Sequence, residues 1–318
     1  MPTIAPRTVF PLLLLFAISF LACKKEETPP SGATDKMLRV KFQFDPNQER
    51  LDNLGNPSTV PSDHATQTPS FNGLSIHFLE LVADEFTPYQ QGAFVFKGKE
   101  VSASNSNPYG FTTAIDFDQA LVAGEDEMFV EVPLADIAAG TYQHLRVSVA
   151  YQNYDVRYNL NNIPVINSLS QQFGTIASFV GYNTHINNLQ VNTLEVPVNA
   201  THLQGFWAFE TQLAAPYDSY NQIFTGQAPA NATTVVNPFP NAPIPAGSCV
   251  VAGSLDLPLQ ISGEEQENVE LTLSFSINGS FEWIDRNGNG EWDIDVSNSS
   301  ESEPVVDMGL RGLKAFWD

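Results

Sequence analysis

The sequence predicts an all-β fold, a predominantly antiparallel β-sandwich, and three observations carry that expectation. Apolar and polar residues alternate one by one in short runs, turn-forming residues punctuate the runs, and no segment holds a helical period over three turns. The 318 residues are 42% hydrophobic, with 22 phenylalanines, so a sizeable core is available and global disorder is excluded. That length fits one large β domain or two packed β modules.

Leu38 to Phe44 swaps apolar for polar at every step, the pattern of a strand with one face packed and one wetted. Similar runs occupy Leu74 to Leu81, Ala93 to Lys97, Phe129 to Val132 and Leu145 to Tyr151. Later ones run from Leu194 to Val198, Val250 to Ile261, Val269 to Ile277 and Phe281 to Ile284. Turn signals at Asn53–Pro57, Asn107–Pro108 and Asn278–Gly279 separate several of them. The best helical stretch is the short Pro133 to Ala139. Behind it, Gly140-Thr141-Tyr142 leads into the alternating Leu145 to Val149. This resembles the tyrosine corner of immunoglobulin-like sandwiches, where a tyrosine at the start of a strand bonds back to upstream backbone. The resemblance implies an immunoglobulin-like or related sandwich with Tyr142 in a structural role.

Residues 46 to 70 and 213 to 247 are irregular, the second stretch rich in proline. Loops of that length are unusual inside a compact domain. Val235, Val236, Phe239 and Ile244 want cover, so 213–247 is expected as an ordered excursion over the sheet. It divides a β-sandwich domain, 37–212, from a C-terminal β module, 248–318.

The amino terminus carries Arg7 and then an apolar run from Val9 to Ala22. It is shorter than the roughly 20 residues a membrane-spanning helix needs and has the layout of a secretory signal. Phe20-Leu21-Ala22-Cys23 resembles a bacterial lipoprotein lipobox, departing from its common pattern at Phe20 and Leu21. Lys24-Lys25-Glu26-Glu27 resembles the export signal of Bacteroidota-type surface lipoproteins. The resemblance implies a signal peptide over 1–22, acylation of Cys23 and an acylated tether over 23–36. It also implies an outer membrane lipoprotein, surface-exposed and held to the membrane through its lipid anchor.

With 36 acidic and 14 basic side chains the formal charge is −22, and no lysine or arginine occurs between Arg157 and Arg286. A nucleic-acid partner is excluded, because phosphate contacts need those residues. The only cysteine besides Cys23 is Cys249, so no disulfide framework exists and a buried, inert thiol is expected.

Among candidate sites, Asp285-Arg286-Asn287-Gly288-Asn289-Gly290-Glu291-Trp292-Asp293-Ile294-Asp295 has the sharpest spacing. Calcium takes six to eight oxygens, and alternating Asp and Asn with glycine at the sixth place lets a short loop curl around it. Asp285, Asn287 and Asn289 fill places one, three and five; Glu291 offers its carbonyl, Asp293 stands ninth, and Asp295 could supply a further carboxylate. The loop resembles the calcium loops of extracellular β-rich proteins, and a structural calcium is the expected cofactor. A metal-free hairpin turn between Phe281–Ile284 and Trp292–Ile294 fits the same residues. Tyr151, Tyr154 and Tyr158, flanked by Asn and Gln, are candidates for a ligand site, a glycan above all, although 151 and the even-numbered pair fall on opposite strand faces.

The expected function is that of a non-enzymatic ligand-binding or structural lipoprotein facing an extracellular ligand. One alternative is a hydrolase of glycans or peptides using carboxylates, for which Asp84-Glu85, Asp116 with Asp118 and Glu125-Asp126-Glu127 are candidates. A second is a transition-metal accessory protein using His185, His202 and Cys249.

Overall fold

A computed structural model describes residues 36–103, 110–228 and 249–318. Residues 1–35, where the signal peptide, Cys23 and most of the tether are expected, Asn107–Pro108 and the apolar positions Val235 to Ile244 lie outside the described residues. The described chain is all-β, with nineteen strands, three single-turn 3₁₀ helices and sheets that are mostly antiparallel. Among these residues no helix is long and apolar enough to cross a membrane.

The strands are β1 (Met37–Asp45), β2 (His64–Gln67), β3 (Ser70–Val82), β4 (Ala93–Lys97), β5 (Glu100–Ser102), β6 (Thr113–Asp116) and β7 (Met128–Pro133). They continue as β8 (Gly140–Ile163), β9 (Asn167–Phe179), β10 (Thr184–Gln190), β11 (Glu195–His202), β12 (Phe206–Gln212) and β13 (Ile223–Gln227). The last are β14 (Val250–Ile261), β15 (Val269–Ser276), β16 (Phe281–Ile284), β17 (Asp293–Asp295), β18 (Val305–Asp307) and β19 (Leu313–Trp317). One large sheet runs β13-β12-β9-β8-β14-β19-β15-β1-β7, with β3 and β17 also paired to β8 and β4 to β3.

β8 organises this sheet. Along one edge it pairs with β14 over Gly140 to Ser148 and then with β9 over Tyr151 to Ile163. Along the other it pairs with β3 over His144 to Asp155 and then, in parallel, with β17 at Asn159 to Asn161. The exchange of partners falls at Val149 and Ala150: the Val149 amide donates to the Cys249 carbonyl at 2.8 Å, and Val180 donates to the Ala150 carbonyl at 3.1 Å. Gly181 makes that junction possible, because a β-carbon there would stand 2.1 Å from the Val149 carbonyl oxygen.

Three apolar cores follow. The first is a sandwich interior in which Leu38, Val40 and Phe42 of β1 and Leu271, Leu273 and Phe275 of β15 meet Leu79 and Leu81 of β3 and Leu145, Val147 and Val149 of β8. Phe42 packs edge-on to Phe275 and beside Phe129, with ring centroids 5.8 and 4.7 Å apart. The Tyr142 hydroxyl donates to the Ala138 carbonyl four residues upstream, the bond the corner requires, and Leu134–Asp136 forms one 3₁₀ turn ahead of it. The second core joins the far half of β8 (Tyr154, Val156, Tyr158, Leu160) to Phe209, Phe281, Trp283 and Trp292. The third, on the opposite face, gathers Tyr151, Phe179, Ile186, Leu189, Phe206 and Ala208.

The described residues fall in one compact unit. Strands from 37–212 and from 248–318 share sheets within it. β15 pairs with β1 and β14 pairs with β8, so the C-terminal residues complete the sheets begun by the N-terminal ones. The stretch expected as a loop over 213–247 contains a 3₁₀ turn at Asp218–Tyr220 and β13.

Candidate functional site

The Asp285–Asp295 stretch is not a hairpin. β16 pairs with β2 on one side and β18 on the other, whereas β17 lies on β8. Residues 285–292 therefore lead from one sheet to another, and what fixes them is a bed of side-chain amides. Asp293 is 8% exposed, and its carboxylate accepts from four asparagines: Asn159 (3.1 Å) and Asn161 (2.8 Å) on Oδ1, Asn287 (2.7 Å) and Asn289 (2.9 Å) on Oδ2. Glu291 accepts from Asn159 and Gln171, both at 2.7 Å, and Asp295 from Asn162 at 2.6 Å. Gln171 holds this place with φ at +54°, a left-handed conformation that costs a non-glycine residue about 1–2 kcal/mol.

Asp285 caps the loop interior, its carboxylate accepting from the amides of Gly288 (2.8 Å), Asn289 (3.2 Å) and Gly290 (2.9 Å). Gly288 and Gly290 sit at φ of +71° and +74°, where glycine is needed. Asn287 and Asn289 thus turn their side-chain amides to Asp293, and the Asn289 backbone amide ties them to Asp285, while Asp295 lies apart with Asn162, Ser297 and Asn298. Among the described residues no group of three or more His, Cys, Asp or Glu side chains is arranged to hold a metal. An oxygen set for calcium there would draw on the two asparagines and the Glu291 carbonyl besides Asp285 and Asp293. Burial raises the Asp293 pKa, but the amide bonds, Asn287 first, outweigh it and hold the carboxyl below its ordinary range.

Behind the loop, Glu303 accepts from the Arg286 amide at 2.8 Å and the Asp293 amide at 2.9 Å. Burial and the nearby Asp293 and Asp285 charges push its carboxyl pKa up. The base of the excursion is pinned by Glu282, which accepts from His64, Arg50 and Arg311, while Arg311 also pairs with Asp307. Burial disfavours the Glu282 charge, yet the hydrogen bonds from His64 and Arg50 hold its pKa low.

Residues 292–309 roof a cavity of about 750 Å³ whose floor is β9, β12 and β13. Phe206 and Ala208 point into the third core, so Trp207 and Phe209, one residue along, face the cavity. Two glycines give these rings a seat. A β-carbon at Gly174 would lie 2.3 Å from the Phe209 ring, and one at Gly226 would lie 2.3 Å from the Trp207 ring. Trp292 and Ile294 descend from the roof, and the Trp292 indole N–H donates to the Glu303 carbonyl at 3.1 Å. At the lip, Phe224, Val296 and Val306 remain 46%, 48% and 40% exposed, an apolar rim on a polar protein.

Other sequence-based candidates fall elsewhere. Tyr151, Tyr154 and Tyr158 are 5%, 1% and 1% exposed and divide between two cores, so they form no surface platform for a glycan. Tyr154 and Tyr158 fill the second core and Tyr151 the third, so each ring is interior. His185 and His202 do not converge: Thr184, not His185, stands opposite His202 across β10 and β11, which places the histidines on opposite faces. His185 contacts the Thr201 hydroxyl, His202 stacks on Phe206, and Cys249 is in the first core with its thiol pKa pushed up to about 12 by burial. The acids weighed for hydrolysis serve local structure. Asp84 accepts from the Phe86 amide, Glu125 from Phe44, Glu127 from Gly124 and Asp118 from Asn187, and none lines the cavity. Sequence reasoning missed the cavity. Its signal was the pairing of Gly174 and Gly226 with cross-strand aromatics, readable only once the register is known.

No protein-family model, curated protein or solved structure matches this chain.

The Asp293 arrangement has a pH signature. Its pKa lies below the ordinary 3.8 in the fold, so folding favours the charged form. The stabilisation is complete above pH 4 and is lost as pH falls through the lowered value. Asp293→Asn should cost about 2–3 kcal/mol at neutral pH, the worth of hydrogen bonds to a charged acceptor, and should flatten the acid limb of a melting series from pH 7 to 2.

Proposed function

We propose that this protein is a lipid-anchored, surface-exposed lipoprotein that binds a ligand in the cavity between the β9–β12–β13 face and the 292–309 roof. One observation carries the reading: two aromatic rings seated on glycines face an open-mouthed cavity whose lip is apolar and exposed. An apolar lip is a cost to solubility that a bound ligand offsets. Acylation of Cys23 would hold the domain at the membrane, since each buried methylene contributes about 0.8 kcal/mol. The hydrolase reading gains no comparable support, because the cavity carboxylates are engaged by backbone amides, hydroxyls, the Asn162 side chain or Arg311.

The probe is 2-naphthalenemethanol, an uncharged flat ring, titrated by ligand-observed NMR into the full chain reconstituted in neutral phospholipid vesicles, with protein-free vesicles subtracted. Saturable binding is expected, weakened about tenfold by Trp207→Ala, a loss of 1.4 kcal/mol, and unchanged by Trp317→Phe, whose indole bonds the Leu257 carbonyl outside the cavity. Binding that survives Trp207→Ala undiminished would place the ligand elsewhere.

Calcium is the proposed structural ion of the roof loop. Supporting it, the loop gathers Asp285, Asn287, Asn289 and Asp293 with no ion pair to Asp285 or Asp293 among the described residues. Asp285, Asp293, the two asparagine amide oxygens and the Glu291 carbonyl would hold it, drawing the amides round from their present donor role. Millimolar calcium should then raise the melting midpoint by mass action, and Asp285→Ala should abolish the rise. An equal midpoint in calcium and in chelator reduces the loop to its amide contacts.

A further inference from the structure

We infer that the cavity selects a small organic cation carrying a flat apolar ring and rejects anions of the same shape. The inference rests on the cavity being a binding site and adds the charge of what enters it. Its carboxylates are Asp295, Glu303 and Asp307, all contributed by the roof, and no described lining residue is a lysine, arginine or histidine. The sequence dictates this. Every floor strand lies inside the interval from Arg157 to Arg286 that contains no lysine or arginine, and the roof lies between Arg286 and Arg311.

The two flanking guanidiniums are committed away from the space. Arg286 donates to the Ser300 carbonyl at 2.5 Å, and Arg311 is 7% exposed, held by Glu282 and Asp307. Asp307 is therefore partly compensated, whereas Asp295 and Glu303 are held by amides and hydroxyls that carry no charge. A cation entering the cavity comes under the field of roof acids that neutral donors leave uncompensated, with Trp207 on the floor to receive it. An ammonium over an indole gains about 0.5–2 kcal/mol, more as water leaves. An anion entering the same space is repelled and loses its hydration with no donor cation to replace it.

Three ligands that share one ring separate the charge effect from the ring effect: (2-naphthylmethyl)trimethylammonium, 2-naphthalenemethanol and 2-naphthylacetate. Each is titrated by ligand-observed NMR into the full chain in neutral phospholipid vesicles at low and at 0.15 M salt. The cation should bind at least tenfold tighter than the anion, with the alcohol between them, and the gap should narrow with salt. Asp295→Asn, a half-exposed change, should weaken the cation about threefold and leave the alcohol unaffected. Equal binding of all three, or preference for the anion or the alcohol, overturns the charge selectivity while leaving the cavity as a binding site. Failure of all three to bind overturns both readings.

Discussion

Everything in this fold depends on one strand changing partners in mid-course. β8 is 24 residues long, and no single neighbour could follow it, because a twisted strand of that length turns away from any partner. Passing from β14 to β9 at Val149–Ala150 solves the geometry and has a consequence. The first half of β8 closes a sandwich with β1 and β15, while the second half extends beyond it, with Tyr154, Val156, Tyr158 and Leu160 needing cover on one face and Tyr151 on the other. The C-terminal excursion supplies one cover and the β10–β11 pair the other. The cavity sits beside the first of these covers, where the excursion bridges from β8 to β12 and β13 without filling the space between.

The second constraint is charge. In most proteins a buried acid meets lysine or arginine, but β8 to β16 offers none between Arg157 and Arg286. The acids of the roof are held by asparagine, glutamine and backbone amides instead. Neutral donors satisfy the lone pairs of a carboxylate and favour its ionised form, yet they leave its net charge in place. The same substitution of amides for cations that lets Asp293 stay buried and ionised also makes the neighbouring cavity negative. By contrast, Glu282 at the base of the excursion is enclosed by Arg50, Arg311 and His64, and Glu80 in the sandwich pairs with Arg146 at 3.0 Å. Where cations are available the fold uses them to anchor elements.

Alternation made the sandwich legible. Ala93–Lys97, Val250–Ile261 and Phe281–Ile284 have the bounds the pattern implies, because each has an uneven distribution of polar and apolar neighbours that period two detects. Tyr142 was legible through its corner. β8 was read only as far as Tyr151, although Tyr154 to Asn161 also alternates and sends Tyr154, Val156, Tyr158 and Leu160 into one core; the tyrosines set among Asn and Asp were read as a ligand surface instead. β9 was hidden for another reason, its first half being polar through Asn167, Ser168, Ser170, Gln171 and Gln172. The Asp285–Asp295 spacing was legible as a site for oxygen ligands, but its attachment to Asn159, Asn161 and Gln171, more than a hundred residues earlier, was not. A cavity built from strands and a loop so far apart in the chain has no local sequence signature at all.

The dependence of both halves on β8 is open to direct measurement by native-state amide hydrogen exchange across that strand. If the partner exchange at Val149–Ala150 joins the halves into one cooperative unit, the amides of Leu145 to Ser148 and of Tyr154 to Tyr158 share one opening free energy, equal to the global value. Exchange of the Tyr154–Tyr158 amides through a separate, lower-energy opening, with Leu145–Ser148 still protected, would contradict the account and make the cavity-bearing half an independent unit.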